Sequence, residues 1–324
     1  MVDRAPSGVL CCGNIVHDTL VRPVDRLQWG TATWIEEIRP SLGGNGAATS
    51  YTLAKLGVPV RLLSMVGSDA FGDELLGRLS DAGVDVGAIT RSTAPTAATI
   101  VLVQSSGERL FLHRPGSSSE AFREPIEFIP SVVQGMSHFH LANVFGLPLM
   151  RPQAADTLRR AREYGLSVSL DTGWDSRGRW IEDLGPCLPF LDLLFVNESE
   201  AQMLSRRSTT DEAAAELINL GARRVVVKLG AHGCAVFGEG DVIRAPSYPI
   251  QVVDTTGAGD CFAGGYLAAL ARGLSHEDAA RYGNATGGLS ASRLGGVDGI
   301  RSWDGTNEWM REMSGEPLRT SGPE

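Results

Sequence analysis

Short apolar runs alternate along the chain with segments whose apolar residues recur at helical spacing. The runs are Val9–Cys12, Val60–Val66, Phe139–Ala142, Leu166–Leu170, Leu193–Val196 and Arg224–Leu229, and a helical pattern follows most of them within a few residues. Gly46–Leu56 sets Ala47, Tyr51, Leu53, Ala54 and Leu56 on a helical repeat and stops at Gly57, as a C-terminal glycine does. Gly72–Ala82 repeats the plan and stops at Gly83; Gln153–Tyr164 follows Pro152 and stops at Gly165. Asp211–Leu220 opens on an acid expected to cap it and stops at Gly221. Continuous apolar strands between amphipathic helices predict an α/β fold whose mainly parallel sheet is covered on both faces.

Two stretches break the alternation. Thr19–Leu42 is rich in strand residues, carries Trp29, Trp34 and Ile35, and has no long helix; Thr96–His113 reads as two strands around Ser105–Ser106–Gly107. Such excursions form either a small flap over a site or an antiparallel extension of the main sheet. The last dozen residues, Met313–Glu324, are polar with Gly and Pro and are expected to form a frayed tail.

Composition removes several classes of function. The chain has 38 acids against 29 bases and a net charge of -9, which leaves no electrostatic footprint for nucleic acid or an anionic membrane. The longest strongly apolar stretch, Cys261–Leu270, falls well short of the roughly 20 residues of a membrane span. Met1–Ser7 carries Asp3 and Arg4 and lacks the apolar core of a signal peptide. Five cysteines make no CxxC pair and no zinc spacing, so they are expected to be reduced, buried side chains of a cytoplasmic enzyme. Glycine accounts for 39 of 324 residues, well above the usual ~7%, without the period of collagen. The glycines are therefore expected at turns and ligand loops.

Four segments carry candidate chemistry. Val253-Asp254-Thr255-Thr256-Gly257-Ala258-Gly259-Asp260 joins an apolar run to a long helix of small residues. Small residues at a helix start leave backbone N–H groups unshielded, and the dipole adds positive potential, so the turn suits a transferred phosphate. Asp260, in the first turn, is placed to take a proton from an attacking hydroxyl. Leu42-Gly43-Gly44-Asn45 is a second glycine-rich helix entry, open to ligand hydroxyls. Asp18 lies just past the first strand, at the sheet end where open α/β folds bind ligands, while His17 beside it reads as structural. Asn197 and Glu200, three apart after the Leu193–Val196 run, either hold Mg²⁺ near phosphates or form a helix cap with its third residue. Lys228, Gly230 and Gly233 follow another strand, in a turn that a nucleotide can lie against.

In this order and spacing the four segments resemble the ribokinase, or PfkB, family of carbohydrate kinases, from about residue 8 to 303. Gly43–Ala48 resembles the family's N-terminal signature and Asp254–Gly265 its C-terminal one. The resemblance implies a ribokinase-like three-layer α/β/α fold with a β-sheet lid, built from residues 19–42 and 96–113, that makes a homodimer in many members. It implies ATP and Mg²⁺ as cofactors, with Asp260 as base and the Gly257, Ala258 and Gly259 amides as anion hole. By the same resemblance Asp18, Gly43, Gly44 and Asn45 bind a sugar-like substrate. Asn197 and Glu200 lie near Mg²⁺, Lys228, Gly230 and Gly233 fall in the nucleotide loop, and Asn284 lines the adenine side. A monovalent-cation loop for K⁺ is implied at Asp254, Thr256 and Arg293–Gly299, although Gly295-Gly296-Val297-Asp298-Gly299 departs from the commonest pattern. Two further departures are Gly116-Ser117-Ser118 after the lid and Asp171–Trp180, whose Arg177, with Arg114, is a candidate for an acidic substrate group.

Competing phosphate sites fit poorly. No Gly-Lys pair supplies a P-loop, Gly257-Ala258-Gly259 lacks the third glycine of a dinucleotide fingerprint, and neither HExxH nor GxSxG occurs. The expected activity is ATP-dependent phosphorylation of a hydroxymethyl group on a sugar or sugar derivative. The alternatives are a nucleoside kinase of the same fold and a non-catalytic sugar-binding regulatory module.

Overall fold

A computed structural model describes residues 7–106, 108–238 and 240–314. Thirteen strands and ten α-helices are seen in them. The strands are β1 (Gly8–Cys12), β2 (Val16–Arg22), β3 (Glu37–Gly43), β4 (Val60–Gly67), β5 (Ile89–Ser92), β6 (Ala98–Val103), β7 (Arg109–Arg114), β8 (Met136–Ala142), β9 (Ser167–Asp171), β10 (Leu193–Asn197), β11 (Val225–Lys228), β12 (Cys234–Phe237) and β13 (Val242–Ala245). The helices are α1 (Asn45–Lys55), α2 (Ala70–Asp81), α3 (Pro130–Val133), α4 (Ala154–Glu163), α5 (Ile181–Leu184), α6 (Glu198–Ser205), α7 (Thr210–Asn219), α8 (Ala258–Ala271), α9 (His276–Ala291) and α10 (Trp303–Ser314).

Nine strands form one sheet in the order β13-β12-β11-β10-β9-β8-β1-β4-β5. All neighbours are parallel except the β11–β12 and β12–β13 pairs. The central strands are buried on both faces, and their alternation assigns side chains to two cores. Val9 and Cys11 of β1, with Leu193 and Phe195 of β10, join the core under α1, α2, α8 and α9. Leu10 and Cys12, with Leu194 and Val196, join the core under α4, α6 and α7. That is the three-layer arrangement expected of continuous apolar strands.

The two excursions form a separate four-stranded sheet, β3-β2-β6-β7. One face turns toward the body, where Leu20, Val101 and Val103 pack on Leu294. Across the register Val21 faces Ile38 and Leu102, Ile100 faces Leu112, and Leu102 faces Leu110, so an apolar stripe runs over the opposite face. Ile38, Ile100, Leu110 and Leu112 are exposed there.

Some local expectations need correction. The cap of α7 is Thr209, whose Oγ1 accepts from the Glu212 amide, so Asp211 falls inside the first turn. The polar tail begins later than expected, because Met313 and Ser314 complete α10; its remainder, with Gly107 of the lid turn and the first six residues, lies outside the described residues. All five cysteines are buried and free, and burial pushes the thiols of Cys11, Cys187, Cys234 and Cys261 up to about 12. They pack as small apolar side chains. His17 stacks on Phe71 at 3.9 Å between ring centroids, in keeping with a structural role.

Candidate active site

Asp18, Gly43, Gly44, Asn45, Asp254, Thr256, Gly257 and Asp260 line one cavity between the small sheet and the start of α8. Gly257 caps α8 with φ of 74°, a left-handed conformation that favours glycine. The chain can thus turn from the Asp254–Thr256 loop directly into the helix, with Asp260 in the first turn. The Ala258 amide already reaches Thr255 O, through a long 3.3 Å bond.

Asp260 is oriented by a chain of amides. Asn45 Nδ2 donates to Asp260 Oδ1 at 2.7 Å, and Asn143 Nδ2 donates to Asn45 Oδ1 at 2.7 Å. The Asn45 backbone amide donates to Asn14 Oδ1, and Thr49 Oγ1 donates to the Asp260 carbonyl. With its oxygen occupied by Asn143, the Asn45 amide must present its nitrogen to the carboxylate. Among the described residues no donor is placed on Asp260 Oδ2, which leaves that oxygen for a ligand.

A cavity of ≈ 210 Å³ opens beside it, lined by Asp18, Gly43, Gly44, Asn45, Asp254, Thr256, Gly257 and Asp260, with Leu20 and Val101 from the lid. Asp18 projects from β2 so close to the Gly43 α-carbon that a Cβ there would stand 2.1 Å from Asp18 Oδ2. Burial, reinforced by Asp254 and opposed by a hydrogen bond from Thr99, raises the Asp18 carboxyl to about 7. Burial also raises Asp260, against the hydrogen bond from Asn45 and the charge of Lys228.

Lys228 Nζ lies 2.6 Å from Asp171 Oδ2 and 3.2 Å from where a Cβ on Gly259 would stand. Burial alone would lower its ammonium pKa, but Asp171, Glu200 and Asp260 together hold it above the ordinary value, so it stays protonated. Burial raises Asp171 to about 7 in spite of this partner.

Asn197 and Glu200 form a reciprocal cap. The Glu200 amide donates to Asn197 Oδ1 and the Asn197 amide to Glu200 Oε2, each at 2.8 Å. Thr172 Oγ1 also donates to Glu200 Oε2. Of the two arrangements open for this pair, the cap is built, and no group of three or more His, Cys, Asp or Glu among the described residues could hold a metal ion. Gly230 and Gly233 bound the turn between β11 and β12. Asn284 spends its amide protons on Ala245 O and Pro246 O, each at 3.0 Å, fixing the chain that leaves β13.

Asp254 and Thr256 meet an unforeseen partner. Arg109 Nη1, from β7 of the lid, lies 2.8 Å from Asp254 Oδ1 and 2.6 Å from Thr256 Oγ1, and its Nη2 bonds Thr255 Oγ1. The side-chain oxygens expected at a monovalent-cation loop are thus engaged by a guanidinium. Neither candidate acid-binding arginine lines the cavity. Arg114 donates to Thr96 O, and Arg177 is held at Asp175 through its backbone amide. Asp175 itself is bonded twice by the buried Arg151, which makes the Asp171–Trp180 loop a structural staple. Ser117 of the Gly116-Ser117-Ser118 turn donates to Met65 O and also stays out of the cavity.

Residues 8–303 match the model of the pfkB family of carbohydrate kinases. The chain belongs to this family. The pfkB kinase is 33% identical over 89% of its length, and 93% of the relative, to an ATP-dependent ribose-1-phosphate kinase of Halopiger xanaduensis. It is 28% identical to a Haemophilus influenzae ribokinase, over 83% of this chain and 87% of that one. Among solved structures, ribokinase of Arabidopsis thaliana with ribose and ATP superposes with a TM-score of 0.82 at 26% identity, covering 95% and 99% of the two chains. A provisionally named ribokinase II of E. coli with ATP and Mg²⁺ gives 0.82 at 25%, covering 94% and 99%. The pfkB kinase therefore has the ribokinase-like fold and is a carbohydrate kinase, which retires the non-catalytic module. Arg109, Asn143 and Asp171 escaped the sequence reading. Only the last two carried a signal, each standing at the carboxyl end of a parallel strand.

Proposed function

We propose that this kinase transfers the terminal phosphoryl group of ATP to a hydroxymethyl group of a sugar or sugar derivative, with Asp260 as the base. The observation that carries the reading is the Asn143–Asn45–Asp260 chain at the start of α8. It holds one carboxylate oxygen and leaves the other without a donor in a residue that lines the cavity. The Asn45 hydrogen bond favours the ionised carboxylate against the effect of burial, keeping Asp260 able to accept the alcohol proton. Gly257 and Gly259 stand at the helix start, where the dipole and Lys228 add positive potential for the transferred group. Asp18 and the Gly43–Gly44 backbone take the acceptor hydroxyls, and the lid excludes water that would compete as acceptor.

Mg²⁺, arriving with the triphosphate, supplies neutralisation of charge on the phosphate oxygens. The residues present fit an ion bound chiefly by phosphates and water: Asn197 and Glu200 are already committed to each other and to Thr172. Lys228, Gly230 and Gly233 line the nucleotide side, where Asn284 acts by fixing the 245–246 chain.

The cavity favours a monosaccharide over a nucleoside. Its ≈ 210 Å³ and lack of aromatic lining contrast with the ~300–1,000 Å³ of sites for larger ligands. The named relatives make ribose and ribose 1-phosphate the first acceptors to assay. The apolar outer stripe of the lid supports a homodimer through that face. Asp260→Asn decides the mechanism: turnover with Mg·ATP should fall about 10²- to 10⁴-fold with acceptor binding by calorimetry retained. Near-normal turnover would remove Asp260 as the base.

A further inference from the structure

Both edge strands of the lid place an arginine on the loops that shape the start of α8. Arg109 of β7 grips Asp254, Thr255 and Thr256. Arg39 of β3, at the other edge, pairs with Asp298, which Arg78 also holds at 3.0 Å. Asp254 Oδ2 in turn accepts from the Gly295 amide, and Ser41 Oγ of β3 donates to Gly295 O. The two carboxylates of the expected cation loop are therefore both neutralised by side-chain cations.

The Asp254 side chain is 3% exposed and that of Arg109 20%. A carboxylate so enclosed needs a counter-charge, and the nearest one is carried by the lid, a separate small sheet whose Leu20, Val101 and Val103 pack on Leu294 of the body. Asp254 Oδ1 also accepts from the Thr256 amide, so the guanidinium and the backbone of the turn share one oxygen. What Arg109 fixes is the backbone immediately before Gly257. A free monovalent ion bound by these side-chain oxygens does not fit beside it.

We propose that Arg109 is a positioning residue: a cation built into the lid that aligns the Gly257–Gly259 amides when the lid is down, in place of a free monovalent ion. The inference rests on the kinase reading above. Its consequence is that lid closure and assembly of the phosphoryl site are one event, so that an open lid leaves the amides unset and water unphosphorylated.

The test compares wild type with Arg109→Ala and Arg109→Lys by two readouts. The first, backbone hydrogen exchange over residues 254–260 in the free protein, needs no turnover. Exchange there should rise at least about tenfold in Arg109→Ala, with the melting temperature and exchange in β1 and β10 retained. The second is steady-state ADP release with ribose or ribose 1-phosphate in tetramethylammonium, Na⁺ or K⁺ buffers. Wild-type kcat should be the same in all three. Arg109→Ala should lose at least tenfold in kcat with KM for Mg·ATP within about threefold, and recover part of it with added methylguanidinium; Arg109→Lys should lie between. Unchanged exchange at 254–260 overturns the proposal whether or not the enzyme turns over. Wild-type kcat raised several-fold by K⁺, or an Arg109→Ala kcat equal to wild type, overturns it as well. A wild type inactive on every acceptor would instead sink the kinase reading and the positioning role with it, while the exchange readout separately decides whether Arg109 clamps the loop.

Discussion

Gly43→Ala tests whether the acceptor side of the cavity is built on a contact between Asp18 and a backbone that has no side chain. The added methyl would sit 2.1 Å from Asp18 Oδ2, 2.4 Å from Cγ and 2.7 Å from Oδ1, so the whole carboxyl group must move or the backbone must yield. Asp18 is 8% exposed, so its carboxyl can move only within the cavity it lines, away from its present place beside the Gly43 backbone. Overpacking of this kind costs about 1–3 kcal/mol. At about 1.4 kcal/mol per decade, full transfer of that cost to the acceptor complex raises acceptor KM about 5- to 150-fold. KM for Mg·ATP should stay within about threefold, because the three atoms nearest the methyl all belong to Asp18. Initial rates of ADP release against both substrates give the split, with thermal melting alongside. The Asp18→Ala background supplies the control, since a cost that acts through the carboxylate vanishes once the carboxylate is gone. An unchanged acceptor KM at unchanged melting temperature would refute the argument, as would an equal further penalty in the Asp18→Ala background.

The raised pKa of Asp18 also makes a stability prediction. Its carboxyl stands at about 7 in the folded chain against an ordinary ~3.9 unfolded. The unfolded state thus loses its proton first, and stability falls as pH rises from about 4 through 7. Asp18→Asn should melt higher than wild type at pH 8, with the gap closing toward pH 4; a gap independent of pH would refute it. On the lid, Leu112→Glu places a charge in the middle of the apolar outer stripe, beside Ile100. Light scattering after size exclusion should find a dimeric wild type and a monomeric variant with kinase-fold melting retained, whereas a monomeric wild type would remove the lid interface.

What could be read from the sequence and what could not divides along a physical line. Strands and helices of the body were legible because burial on both sheet faces leaves uninterrupted apolar runs, and glycine ends the helices. The lid strands were legible as breaks in that rhythm, though not their pairing. Gly257 and Gly43 stood out because the constraint on them, a left-handed turn or a close approach, acts on the residue itself. The positions that stayed open or went unseen are of another kind. Asn197 and Glu200 satisfy two chemistries at one spacing, and local sequence cannot choose between a helix cap and an ion. Asp211 and Thr209 are both good caps, and the cap lies two residues earlier than the acid suggested. Arg109 reaches Asp254 across 145 residues, so its partner exists only after two sheets have packed. Its type gave no warning either, since the chain is rich in arginine and nearly every one of them has the look of a solvated surface charge. The position of a guanidinium relative to a buried carboxylate is a tertiary quantity, and the coupling of lid to phosphoryl site follows from that position alone.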